Sequence, residues 1–140
     1  MRNDYHFFAS DNGFVLGFFP TTAPNYVGRV LQWNGEKWKN IKLDYGSKWW
    51  FLDAFDFSSD KSGWAVGSDL SKDKGILVEF SKKGWIFVGK KGVPEVSDDW
   101  GLNDITHSGE NEFWAVGADY KAKKGAILHY TEYKRILKPF

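Results

Sequence analysis

Cysteine is absent from this sequence, methionine occurs once and proline four times. Without cysteine the chain can hold no disulfide framework, no thiolate nucleophile and no Cys-ligated zinc site. The same absence makes the fold indifferent to the redox compartment. A formal net charge of +1 gives no electrostatic reason to bind nucleic acid or an anionic membrane, so neither is expected as a partner.

Long apolar runs are also missing. No stretch approaches the roughly 20 apolar residues that a membrane helix needs, so we expect no membrane insertion. The first residues, MRNDYHFFASDNG, lack the apolar core of a signal peptide. The compartment stays open on this evidence: the default expectation is cytoplasmic, or exported if a leader has been removed.

Aromatic residues are abundant instead. They make up 19% of the chain, with eight Trp and twelve Phe, and glycine occurs 15 times. Aromatic and β-branched runs separated by Gly, Asn, Asp and Ser are typical of strands and turns. Since no stretch has a helical period, the sequence predicts an all-β fold.

One four-residue stretch organises the chain. Trp64-Ala65-Val66-Gly67 returns unchanged at residues 114–117, and a weaker copy occupies residues 14–17, each 50 residues from the next. We therefore expect a single repeat domain over residues 1–140, with units at approximately 2–43, 52–90 and 102–140.

Each unit contains four short apolar segments separated by polar turns. Asn34-Gly35 lies between two of these segments in the first unit, and this dipeptide is a strong hairpin signal. In the repeated stretch, strand alternation puts Trp64 and Val66 on one face and Ala65 on the other. The repeated Trp is therefore interpreted as a packing residue between units.

The combined pattern, a WAVG-like strand followed by a loop, a Gly-x-(Ile/Val)-Leu strand, a turn and Trp, resembles the WAVG-type β-propeller repeats of bacterial proteins and photosystem assembly factors. It is similar, through these, to BNR-like Asp-box propellers. The resemblance implies three four-stranded blades over nearly the whole chain. The full Asp-box is missing from the turns between third and fourth strands, which argues against a sialidase-like enzyme.

Three blades are too few for a closed propeller, which has four or more. Two copies joined head to tail would complete a six-bladed ring, so a homodimer is expected. The alternative is a monomeric β-trefoil, which also has three four-stranded repeats. The mass in solution separates the two.

Catalytic and metal-binding patterns are poorly supported. The three histidines, His6, His107 and His129, fall in different units without metal-ligand spacing. The adjacent pair Asp98-Asp99 is interpreted as part of a solvated turn, and the Lys-rich loop at residues 68–73 lacks the glycine and glutamate of a calcium loop. We expect no enzyme activity, no metal and no cofactor.

The loops give the best functional signal. In a propeller, the loops after second strands and the connections into first strands emerge on one face, which would combine aromatic rings with both signs of charge. Trp49 stands out because Asp99 occupies its position in the next unit. The candidate ligand-binding residues of this loop face are Tyr26, Trp49, Trp50, Asp69, Lys72, Trp100, Asp119, Tyr120 and Lys121.

Two functions remain in view. The first is a non-enzymatic interaction or scaffold module that assembles with itself and binds a protein through its loop face. The alternative is a lectin that binds glycans at aromatic loop sites, although its loops differ between units.

Overall fold

A computed structural model of the chain describes residues 3–22, 25–88, 96–131 and 135–139. Within these residues the protein is all-β, as the sequence predicts: twelve strands form three separate four-stranded antiparallel sheets. No helix in the described part of the chain is long and apolar enough to cross a membrane. The expected unit boundaries at residues 2, 90 and 140 lie outside the described residues.

The strands of the first sheet are β1 (Tyr5–Ala9), β2 (Asn12–Pro20), β3 (Tyr26–Trp33) and β4 (Trp38–Ile41). Those of the second are β5 (Trp50–Ser59), β6 (Ser62–Asp69), β7 (Lys74–Ser81) and β8 (Gly84–Phe87). Those of the third are β9 (Trp100–Gly109), β10 (Glu112–Asp119), β11 (Lys124–Thr131) and β12 (Arg135–Pro139).

Each sheet is a meander in which every strand pairs with its neighbour in sequence. The pairing registers agree between sheets: Val15 faces Leu31, Ala65 faces Val78 and Ala115 faces Leu128. The repeat seen in the sequence is therefore also a repeat of hydrogen bonding. The first strand differs most, since β1 has five residues where β5 and β9 have ten.

Two buried clusters join consecutive sheets. One lies between the first and second sheets and is built on aromatic rings such as Phe14, Phe55 and Phe57. The other lies between the second and third sheets and contains Trp64 and Val66. Ala65 belongs to the first cluster and Trp64 to the second, so the alternation of the WAVG stretch supplies packing to both faces of the middle sheet.

The last residue of the WAVG stretch has a separate role. A methyl group on Gly67 would overlap the Phe51 carbonyl and lie 2.7 Å from Leu52 Cα. The strand register slips at this point because Asp53 is an extra residue in β5, which forms a β-bulge. Gly117 sits in the same way against Gly101 and Leu102 of β9. Glycine is therefore required here by the close approach of the bulged strand.

Candidate functional site

Two predicted site residues, Asp69 and Asp119, occupy equivalent positions at the ends of β6 and β10. Ser47 donates a 2.9 Å hydrogen bond to Asp69, and Ser97 donates a 2.8 Å hydrogen bond to Asp119. Each Oδ1 also accepts a backbone N–H from the loop that follows, at 2.9 Å. Both carboxylates are buried. They tie the connection into one sheet to the loop of that sheet, which is a structural task.

The lysines of the same loops remain accessible. Lys72 Nζ lies 5.4 Å from the centre of the Tyr45 ring and 3.9 Å from Asp69. Lys121 forms an ion pair with Asp98, which lowers the pKa of that carboxyl and raises the pKa of the lysine. Because this pair is largely exposed, it adds little stability.

Trp50 and Trp100 do not belong to an exposed loop face. Each is 2% exposed. The ring of Trp50 covers Gly28 in the first sheet, and the ring of Trp100 covers Gly75 in the second. The expectation that these rings reach a ligand from the loops is therefore corrected for Trp100, which lies in the core between two sheets.

The remaining predicted aromatics are dispersed. Tyr120 is about half exposed at the tip of its loop, and Tyr26 is half-buried edge-on to Phe18. Trp49 is half-buried, and its carbonyl accepts a 2.9 Å hydrogen bond from Leu70. The Asp99 carbonyl makes the equivalent bond with Tyr120, so position 49 has a backbone role shared by both units. Of the nine candidates, Trp50 and Trp100 are therefore buried between sheets, Asp69 and Asp119 are buried at strand ends, and Tyr120 is the aromatic residue among them that is exposed.

A pocket of about 250 Å³ lies beside the first sheet. It lies where β4 pairs with β3 only from Val30 onward, which leaves the beginning of β3 without a partner on that side. The connection from β4 to β5 curves around the gap. The described residues that line the pocket are Val27, Gly28, Arg29, Asn40, Lys42, Leu43, Asp44, Tyr45, Gly46, Ser47 and Trp50.

The pocket lining combines apolar surface with donors and acceptors of both charge signs. Tyr45 and Trp50 supply the aromatic part, with ring centres 5.6 Å apart. The guanidinium of Arg29 lies 4.6 Å from the centre of the Phe19 ring, and strand alternation places it on the face of the sheet opposite to the one where Trp50 covers Gly28. Asp44 accepts a 3.2 Å hydrogen bond from Gly46 with one oxygen. Its second oxygen makes it an acceptor suited to a hydroxyl-rich ligand.

Sequence reasoning missed Arg29, Asn40, Lys42 and Asp44. A signal was present in the comparison of units, because Arg29 stands where the other sheets have Ile76 and Ala126. Similarly, Asn40 faces Leu31 where Phe87 faces Val78. These two positions are polar in the first unit and apolar at the equivalent positions of the other units, so they distinguish the first unit from the others.

Tyr45 connects the pocket to the buried carboxylate of Asp69. Burial, together with the negative charge of nearby Asp69, raises the pKa of Tyr45 from 10.0 to about 12. Folding therefore favours the neutral phenol. The stability that the protonated Tyr45 contributes to the fold is fully present below pH 10.0 and is lost as the pH rises towards about 12.

We expect Tyr45→Phe to remove a phenolate transition near pH 12 from an ultraviolet absorbance titration of the folded protein. The matched control is Tyr120→Phe, which changes an exposed ring outside the pocket. It should leave that transition in place. A late transition that survives in Tyr45→Phe would assign it to another residue.

Within the described residues no group of three or more His, Asp or Glu side chains is placed to hold a metal ion. His107 contacts Asp56 through its ring, at 3.1 Å, and through its backbone N–H. Burial alone would raise the pKa of Asp56, but these hydrogen bonds outweigh it and lower the pKa. The pair joins the first strands of the second and third sheets and lies away from the pocket.

Comparison with known proteins gives a structural likeness but no match in sequence. No family model and no curated protein matches the chain. A solved structure described as a fucose lectin from Kordia zhangzhouensis in complex with methyl-fucoside is similar, with a TM-score of 0.61 and 10% identity. The match covers 99% of this chain and 98% of the other. At this identity the likeness concerns the fold, and it extends over the whole described all-β architecture.

Proposed function

We propose that the chain is a carbohydrate-binding protein and that the pocket beside the first sheet is its sugar site. The observation that carries the proposal is the set of lining residues, in which the aromatic Tyr45 and Trp50 occur together with Arg29, Asn40, Lys42 and Asp44. Sugars offer C–H faces to aromatic rings and hydroxyls that both donate and accept hydrogen bonds. A lining of one polarity would not meet both demands.

The size of the pocket supports a small ligand. Drug-sized ligands occupy sites of roughly 300–1,000 Å³, and this pocket has about 250 Å³. This volume suits one sugar ring, and any further sugar units of an oligosaccharide would lie outside the pocket. The similar solved structure is that of a fucose lectin with a methyl-fucoside, and this likeness supports the same class of ligand.

We also propose that the three sheets are blades of a β-propeller, in line with the WAVG-type resemblance. The support is that each blade-like sheet is a four-stranded meander stacked face to face on the next. A trefoil barrel joins strands from different repeats, whereas every strand pair described here joins strands of one repeat.

The binding proposal predicts that Lys42→Ala and Asp44→Ala each weaken sugar affinity by about tenfold or more, since each removes a charged hydrogen-bonding partner. A glycan array identifies the ligand, with methyl-fucoside as the first probe, and calorimetry measures the variants. Lys82→Ala, in the exposed turn between β7 and β8, is the matched control and should bind normally. The proposal is wrong if the protein binds no glycan on the array, or if both pocket variants bind sugar with unchanged affinity.

The interaction module remains the second candidate. Leu70 and Tyr120 are exposed at equivalent positions of two loops, an arrangement that suits contact with a protein. A chain that binds no glycan but loses a defined protein partner on Tyr120→Ala would favour this candidate.

A further inference from the structure

The repeat defines two faces for every sheet. We call the face that packs on the following sheet the leading face; it carries Phe14, Leu16 and Val30 in the first sheet and Trp64, Val66 and Leu77 in the second. By register the same positions in the third sheet are Trp114, Val116 and Ile127. The opposite face, which receives the preceding sheet, we call the trailing face.

The leading face of the third sheet has nothing on it in the described structure. Val116 is 41% exposed, whereas its equivalents Leu16 and Val66 are both at 0%. Trp114 is half-buried and stacks on His129, its cross-strand neighbour, with ring centres 3.8 Å apart. This face therefore presents apolar groups at positions that are core in the other two sheets.

The trailing face of the first sheet is uncovered in the same way. Tyr5 is 74% exposed and Phe7 is 46% exposed. Their equivalents in the second sheet, Phe55 and Phe57, are buried beneath the first sheet. Trp38, also on this face, contacts Phe7 edge to face at 6.1 Å. Exposed aromatic area on this scale marks an interaction surface.

The junction between the first and second sheets shows how such faces fit. Phe14 on the leading face contacts three rings of the second sheet: Phe57 at 5.5 Å, Phe80 at 5.1 Å and Trp85 at 5.4 Å. By register, the first sheet carries rings at all three of these positions, namely Phe7, Trp33 and Trp38. The third sheet carries Trp114 at the position of Phe14.

We propose that the occupant of both faces is a second copy of this chain, with the leading face of the third sheet of one copy packed on the trailing face of the first sheet of the other. Trp114 would enter the group formed by Phe7, Trp33 and Trp38, and Val116 would be covered. The contact continues an interface that the chain already makes twice within itself. It is heterologous, and two copies close it into a ring of six sheets.

Light scattering on the wild-type chain should give twice the 16.1 kDa mass of one chain. Val116→Arg blocks the leading face and Phe7→Arg blocks the trailing face, so each variant alone should be monomeric. Both positions are exposed in one copy, which protects the fold, and circular dichroism checks it. Tyr5→Arg, at a still more exposed position, is a second variant for the trailing face. Ile86→Arg, at an exposed apolar position of the second sheet, is the control and should remain dimeric.

Mixing the two blocked variants tests the direction of the contact. The free leading face of Phe7→Arg should bind the free trailing face of Val116→Arg, giving a one-to-one pair that cannot close. An interface that used the same patch on both copies would stay broken in this mixture. A monomeric wild-type chain overturns the proposal, as does a dimer that survives Val116→Arg or a mixture that stays monomeric.

Discussion

Gly67→Ala is expected to destabilise the protein by about 3 kcal/mol, although it adds one methyl group. The methyl would overlap the carbonyl of Phe51, which belongs to the backbone of a buried, bulged strand. A flexible side chain could yield, but this backbone is held by the ladder of β5 and β6. Guanidinium unfolding followed by tryptophan fluorescence measures the loss. Gly117→Ala should behave alike, for it meets Gly101 in the same way.

The first unit provides a matched control for this prediction. Gly17 occupies the same position in the repeat, but no described atom lies within 4 Å of the methyl that Gly17→Ala would add. That variant should change the free energy of unfolding by no more than about 1 kcal/mol. We expect a small gain, because alanine lowers the conformational entropy of the unfolded chain. Equal effects at Gly17 and Gly67 would show that the bulge does not impose the glycine.

Trp50→Ala is expected to cost about 3–5 kcal/mol and to abolish sugar binding at the same time. The indole fills the junction between the first two sheets, over Gly28 and against Tyr45 and Phe87. Its removal leaves a cavity in the core and takes away one wall of the pocket. Denaturant unfolding measures the first effect, and calorimetry with the sugar found on the array measures the second.

Trp100→Ala separates these two effects. Trp100 is buried over Gly75 in the equivalent junction, so its loss should reduce stability by a similar amount. It does not line the pocket, and a variant that stays folded should bind sugar with unchanged affinity. Where alanine unfolds the chain, Trp50→Phe and Trp100→Phe allow the same comparison of affinities. Equal loss of binding in both would mean that general destabilisation, not the pocket, explains the result.

The strands and the two-faced character of each sheet follow from the sequence because both depend on neighbours one or two residues apart. Trp64 and Val66 alternate with Ala65, and the sheets pack accordingly. The loops follow no such rule. From the sequence Asp69 is predicted to be an exposed, charged loop residue. In the structure it is covered by Ser47, which lies in the connection that precedes its sheet. From the sequence Trp50 is predicted to lie on a loop, but in the structure its ring is buried over Gly28 of another sheet, where the missing side chain leaves space for it.

The pocket was missed for a related reason. It forms where β4 falls short of the beginning of β3, and a strand end is set by how the following connection turns, not by local pattern. Arg29 and Asn40 became informative only when the strand registers showed which residues replace them in the sister units.

The meander topology also determines which part of the protein unfolds first. Backbone ladders close within each sheet, and side-chain clusters hold neighbouring sheets together. The chain thus resembles a short one-dimensional array with nearest-neighbour coupling. The middle sheet is anchored on both sides and each outer sheet on one, so an outer sheet can open while the other two keep their ladders. In an assembled ring every sheet would have two neighbours, and this weakness of the ends would disappear.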